Sequence, residues 1–194
     1  MSELKVLIEG YARKKGKMEF ASPSTVLIND SGLKVIADPG ANEKLLLKAL
    51  SKEGLKPEGI DLVFLTHYHP DHLLNIGLFR GKKILDGNTI YCGEEITGFS
   101  GKIPGTKIKV IATPGHAHEH ASLLVETKKG KVLVAGDVWW WADGEKQKTD
   151  LKSLLSHKDP YVKDKKALRK SRKKALKLAD YIIPGHGKIF AVKK

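Results

Sequence analysis

The chain has 194 residues, 41% of them hydrophobic and 29% charged, enough to bury a core without disulfides or a structural metal. No apolar run approaches the ~20 residues of a membrane span, and the opening MSELKVLIEG lacks the regions of a signal peptide; the expected compartment is the cytoplasm, with no membrane partner. Lys and Arg outnumber Asp and Glu by 35 to 22, a net charge of +13 that attracts anionic substrates or surfaces over about a Debye length. Two readings of this charge stand. One is a nucleic-acid partner; the other is adaptation to heat, since Lys is abundant while Gln147 is the single Gln and Asn occurs four times. Cys92, the only cysteine, excludes an internal disulfide and reads as a small buried residue in a reducing compartment.

In chain order, LKVLIEG, STVLIND and LKVIADPG read as strands, the last two joined by a hairpin at Asp30-Ser31-Gly32; RKKGK (13–17) reads as a basic loop. Apolar residues at 45, 46, 49 and 50 give the helical spacing, and Gly54 is a C′ glycine. GIDLVFLT (59–66) is a near-continuous apolar run, the mark of a strand buried on both faces. A short helix or turn follows, then weaker strands near 83–92, then TKIKVIATPGH and HASLLVETKKGKVLVAGD with a turn at 128–130. A charged helical region spans about 149–179, and ADYIIPGHGKIF closes the chain. This order favours helix layers over a β core, and the lack of repeats or linkers favours one domain, 1–194.

The chemistry gathers behind strands. LTHYHPDHLLNIG (65–77) places His67, His69, Asp71 and His72 within six positions, and the apolar strands KVIATPG, KVLVAG and DYIIPG run into His116, Asp137 and His186. If the four strands lie side by side, these residues meet at one sheet edge. Imidazole and carboxylate together suit zinc, with iron or manganese as alternatives. Seven donors exceed one tetrahedral ion, so two divalent ions are inferred, with an aspartate shared between them and a bridging hydroxide as nucleophile. His67 and His69, two apart, can point one way; Asp71 and His72, beyond Pro70, can address a second position.

These motifs resemble the metallo-β-lactamase superfamily. THYHPDH is similar to its H-x-H-x-D-H motif, TPGHAHEHAS to its T-P-G-H segment, AGD to its bridging-aspartate strand, PGHG to its last histidine, and VIADPG to its early aspartate strand. VFLTHYHPDHLLNIGLF, KVLVAGDVW and LADYIIPGHGKIF are also similar to a small single-domain branch of that family. The resemblance implies an α/β fold, a four-layer αββα sandwich. It implies one metal position at His67, His69 and His116, a second at Asp71, His72 and His186, and Asp137 bridging. Asp71 and Asp137 are the catalytic candidates. Asp38 would orient a ligand histidine, although a plain turn Asp before Pro39 remains an alternative, and His120 would support the site by hydrogen bonding. One departure stands out: Ala117, His118 and Glu119 follow His116 where the family commonly reads T-x-G, so His118 is a competing ligand.

The implied activity is metal-dependent hydrolysis of an ester, thioester, lactone or phosphodiester. An RNA-directed phosphodiesterase and a non-catalytic nucleic-acid or protein-binding module are the alternatives. For RNA speaks the stretch 157–177, with ten Lys or Arg against two Asp; its alternative is a solvated helix face, with His157 a solvated surface residue. Trp139, Trp140 and Trp141 follow Asp137, and alternation should leave at least one at the pocket rim, where it could stack on substrate; core or homodimer packing is the alternative use.

Overall fold

The computed structural model describes residues 1–193. Seven strands form one sheet: β1 (Glu3–Ile8), β4 (Thr25–Asp30), β5 (Leu33–Ala37), β6 (Leu62–Phe64), β7 (Lys83–Leu85), β8 (Thr89–Cys92) and β9 (Glu95–Gly98), hydrogen-bonded in that order. A second sheet orders β10 (Lys109–Ala112), β11 (Ala121–Thr127), β12 (Gly130–Trp140), β13 (Tyr181–His186) and β14 (Phe190–Ala191). The central pairs β5–β6, β6–β7 and β12–β13 are parallel, and the outer pairs are antiparallel. The β4–β5 hairpin turns at Ser31 and Gly32, both at positive φ (52° and 84°), a pair of angles that fits the right-handed twist of its strands.

Alternation along the strands builds the layers. Val26, Ile28, Val35, Ala37, Leu62 and Phe64 meet Leu123, Val125, Val132 and Val134 in the core between the sheets. Their neighbours Leu27, Ile36 and Val63 point outward onto Leu46, Ala49 and Leu50 of α1 (Glu43–Lys52). Asn42 caps α1 by accepting from Leu45 N, and Gly54 follows it at φ 68°. On the other outer face, Leu124, Leu133 and Ala135 pack against Leu154 of α3 (Leu151–Ser156) and Leu168, Ala175 and Leu176 of α4 (Lys165–Leu178). Three apolar interfaces separate four layers, the αββα sandwich. Among the described residues no helix is long and apolar enough to cross a membrane.

The structure corrects four expectations. Only Gly16, at φ 61°, and Lys17 of residues 13–17 form a turn; the rest ends β2 (Tyr11–Lys15), which pairs with β3 (Met18–Ser22) in a hairpin hidden from pattern reading because little of it is buried. The region 149–179 is two helices: Asp150 caps the first, Pro160 lies in the segment between them, and Asp164 caps the second. His157 in that interruption is half-buried rather than solvated; its Nε2 lies 2.6 Å from Trp140 O and its ring 4.9 Å from the Trp141 ring. The four strands that carry the histidine and aspartate motifs do not lie side by side in one sheet. β6 belongs to the first sheet and β10, β12 and β13 to the second, so the motifs meet across the edge of the sandwich.

Candidate metal centre

The first wall of the site comes from the parallel ends of β5 and β6. Asp38 follows β5 with φ 50°, a left-handed conformation that Asp tolerates better than most residues. Its Oδ1 accepts from Thr66 N at 2.8 Å; its Oδ2 accepts from Thr66 Oγ1 at 2.8 Å and from His72 Nδ1 at 2.9 Å. Since the Thr66 hydroxyl proton goes to Asp38, Thr66 Oγ1 accepts from His67 Nδ1 at 3.0 Å. Pro70 then confines His69 to extended backbone (φ −69°, ψ 140°) and opens α2 (Pro70–Leu73), whose single turn carries Asp71 and His72.

The second wall comes from the other sheet. The pairing of β12 with β13 shifts register around Gly136, which sits at φ 52°; a side chain there would meet Thr66 Oγ1 at 2.7 Å and His120 Nε2 at 2.8 Å. This irregularity turns Asp137 into the site, where it lies so close to Gly185 that any Cβ at 185 would overlap its Oδ1. His186 at the end of β13 donates from Nδ1 to Tyr11 O at 2.9 Å, and His116 donates from Nδ1 to Asp159 Oδ2 at 2.8 Å.

These hydrogen bonds fix the tautomers. With Nδ1 protonated in His67, His72, His116 and His186, Nε2 is in each the nitrogen that turns to the site, and the neutral ring presents it as a lone pair, the form in which imidazole ligates metals. The donor atoms fall into two groups: His67, His69, His116 and Asp137, and Asp71, His72 and His186, the atoms of each group within 4.8 Å of one another. Asp137 faces both. Its Oδ2 lies 3.3 Å from His116 Nε2 and 3.9 Å from His67 Nε2; its Oδ1 lies 3.4 Å from His72 Nε2 and 3.7 Å from His186 Nε2. Asp71 Oδ2 is 3.3 Å from His186 Nε2.

Three of these buried atoms, His67 Nε2, His72 Nε2 and Asp137 Oδ1, have no hydrogen-bond partner. Orphaning three buried polar atoms in one place is costly unless something else satisfies them. His69 Nδ1 and His116 Nε2 approach to 3.0 Å, close to the roughly 3.4 Å between two ligands of a tetrahedral ion at about 2.0–2.1 Å from each. The residues fit divalent metals in number, chemistry and tautomer.

Burial and the neighbouring His72 hold the His67 pKa well below the usual imidazole value. Burial also opposes charge on Asp137 and His72, but attraction between the carboxylates and imidazoles prevails: Asp137 is held well below the carboxylate range, and His72, between Asp38 and Asp137, well above that of histidine. The field that favours a proton on His72 equally favours a divalent cation.

His120 is placed beside the site but outside both groups. Its Nε2 must accept the proton of Asp137 N (3.1 Å), so Nδ1 carries the hydrogen and donates to Thr113 Oγ1 (2.9 Å). Thr113 therefore donates to Ser122 Oγ (2.8 Å), which donates to Ala135 O (3.2 Å). Burial pushes His120 down to about 3, so it stays neutral, and both ring nitrogens are used. His118 is exposed and belongs to neither donor group. Trp140 is the rim tryptophan, its ring 6.2 Å from His186 and 5.7 Å from Tyr161, while Trp139 and Trp141 are buried.

Sequence reading missed Asp159. Besides His116, it holds Trp140 Nε1 (3.3 Å) and Tyr161 N (3.0 Å) through Oδ1, tying the site's edge to the segment between α3 and α4. Pro160 directly after it was the available signal, marking a helix interruption.

A four-layer αββα sandwich with paired histidine and aspartate groups at its edge is the framework of metallo-β-lactamase-type hydrolases. The profile of the Metallo-beta-lactamase superfamily matches residues 19–87, and the chain belongs to this superfamily of metal-dependent hydrolases. It is similar to metallo-beta-lactamase domain-containing protein 1 of Xenopus laevis, 34% identical over 97% of this chain and 81% of that protein. The chain spans 65% of the human protein of the same name, at 34% identity over 94% of its own length. The protein of Methanocaldococcus jannaschii named "Probable metallo-hydrolase" is 30% identical over 94% of this chain and 86% of its own. Among solved structures, a Thermotoga maritima chain superposes with a TM-score of 0.71 at 21% identity, covering 98% of this chain and 99% of its own.

Proposed function

We propose that the protein is a hydrolase with a dinuclear centre, most simply two zinc ions, held by His67, His69 and His116 on one side and Asp71, His72 and His186 on the other, with Asp137 shared. The observation that carries this reading is the convergence of His67 Nε2, His72 Nε2 and Asp137 Oδ1, three buried and unpartnered atoms, between the two donor groups. Divalent ions held by these residues would supply an acidified water and polarise the group under attack. The chain's own part is to hold the lone pairs in place: Asp38, Thr66, Asp159 and Tyr11 O each keep a proton on the far nitrogen of one histidine. Asp71, whose side chain is 24% exposed, stands at the mouth, where it serves as ligand or as acceptor of a proton from water. Trp140 and Tyr161 present aromatic surface to whatever enters beside His186.

The substrate classes that suit this centre are esters, thioesters, lactones and phosphodiesters. RNA is the second reading, favoured by the ten cations of residues 157–177 and the exposed face of α4. A single domain working in the cytoplasm on a small or anionic substrate completes the proposal. Metal analysis after reconstitution tests it: about two ions per chain are expected, with hydrolysis of one of these four classes, and Asp137→Ala abolishes turnover. A chain that takes up no metal would instead be a binding module on the same scaffold. End-labelled single-stranded RNA, cut by the native protein and not by the variant, selects the phosphodiester.

A further inference from the structure

Between α3 and α4 lies a cavity of about 680 Å³, large enough for a nucleotide-sized ligand, with walls that include Val162 and Leu168. Arg172 lines it from α4 and is only 4% exposed. Its Nε donates to Val138 O at 3.0 Å and its Nη1 to His157 O at 2.6 Å, but its Nη2 is buried with no partner. A guanidinium fixed by two backbone carbonyls and left with a spare donor is preorganised to receive an oxyanion.

The rim repeats the charge. Lys158, Lys165 and Arg169 line the same cavity, are exposed, and form no ion pair among the described residues. Lys165 and Arg169 lie one turn apart on α4, with Arg172 on the next turn, so like charges stack at spacings where they repel. The one acid lining the cavity, Asp159, is already engaged: Oδ2 holds His116, and Oδ1 holds Trp140 and Tyr161. Four cations therefore surround an apolar-walled space with no free counter-charge. Through Asp159, its wall is also part of the metal centre's support.

We propose that this cavity binds the phosphate group of a nucleotide or nucleotide-like ligand, with Arg172 as the inner donor, Lys165 and Arg169 as the outer cations, and the apolar walls taking the attached body. If the proposed hydrolase reading holds, the ligand is part of the substrate, which narrows that reading to phosphate-bearing substrates; the binding step itself needs no metal. The test is a titration of the full chain, zinc-loaded and chelator-treated, with uridine 5′-monophosphate and with uridine, following the Arg172 side-chain Nε–H resonance. The monophosphate should shift that resonance in both forms and uridine should not, and the Lys165→Gln/Arg169→Gln variant, altered only at exposed positions, should bind about tenfold or more weakly. Arg172→Lys, checked for folding by circular dichroism, should lose the monophosphate while retaining zinc. Equal affinity in the double variant, or binding only when zinc is present, would overturn the proposal, because the phosphate would then sit on the ions. Binding by a chain that takes up no zinc would support the cavity and refute the hydrolase reading.

Discussion

Asp159 is 43 positions from His116 in sequence, and its replacement by Asn tests whether the support of the metal donors is as specific as their geometry implies. Asn is nearly isosteric but carries one acceptor and one donor. With Nδ2 in place of Oδ2, a donor faces His116 Nδ1–H, and relief requires the histidine proton to move to Nε2, the atom that points at His69 and Asp137. With the amide reversed, the bond to His116 survives, while the bonds from Trp140 Nε1 and Tyr161 N are lost. Loss of a partner that orients a ligand histidine lowers metal affinity by about 10–100-fold, or about 1.4–2.7 kcal/mol. Competition against a chromophoric zinc chelator reads this directly, and thermal unfolding of the chelator-treated proteins gives the cost without metal, about 1 kcal/mol for the hydrogen bonds alone. Zinc affinity within twofold of the native value, with the fold intact, would show that Asp159 does not set the tautomer of His116.

Gly185→Ala should displace Asp137, because the new methyl overlaps Oδ1; the expected result is loss of at least one bound ion with little change in secondary structure, read by metal analysis and circular dichroism. Chelator treatment should lower the melting temperature, and added zinc should restore it in proportion to the logarithm of its free concentration; a melting temperature indifferent to both contradicts a metal bound to the folded state. Away from the centre, Asp30 is buried, which opposes its charge, yet the hydroxyls of Ser2 and Ser31 and the N–H of Lys107 hold its pKa below the usual carboxylate value. A depressed folded pKa means its stabilisation is present above about pH 4 and lost as pH falls through the folded value. Asp30→Asn should therefore cost about 1 kcal/mol at neutral pH and progressively less under acid, in denaturant titrations; a constant difference across pH would count against the charged form as the stabilising one.

The residues of the two candidate donor groups were legible in sequence because each sits within a few residues of an apolar strand end, and strand ends are visible as hydrophobic runs. Their assignment to two sheets was not, since a buried strand reads the same whichever sheet it joins. The β2–β3 hairpin escaped because its pattern of charges, RKKGK, faces mostly solvent and leaves no apolar alternation to find. Asp159 escaped for a different reason: within a Lys-rich stretch an isolated Asp reads as a cap or a surface charge, and only tertiary packing brings it to His116. For His120 the sequence suggested support by hydrogen bonding without a partner, and the partners, Asp137 N at Nε2 and Thr113 Oγ1 at Nδ1, come only from tertiary packing.

Since the two groups of candidate donors draw on opposite sheets, an ion at the first position would be a rivet through the sandwich: it would tie His69 to His116, 47 positions away, and so fasten one sheet to the other. His186, whose ring is steadied by a carbonyl 175 positions earlier, ties the far end of the chain to its beginning. Neither sheet alone offers a full set of candidate donors, so a nascent or partly unfolded chain would have little hold on metal, and capture would wait until the two halves had docked. Once captured, ions held there would resist any opening that slides one sheet from the other. In hydrogen exchange this would appear as slowed opening at the metal-bearing rim, fading toward the opposite edge of the sandwich.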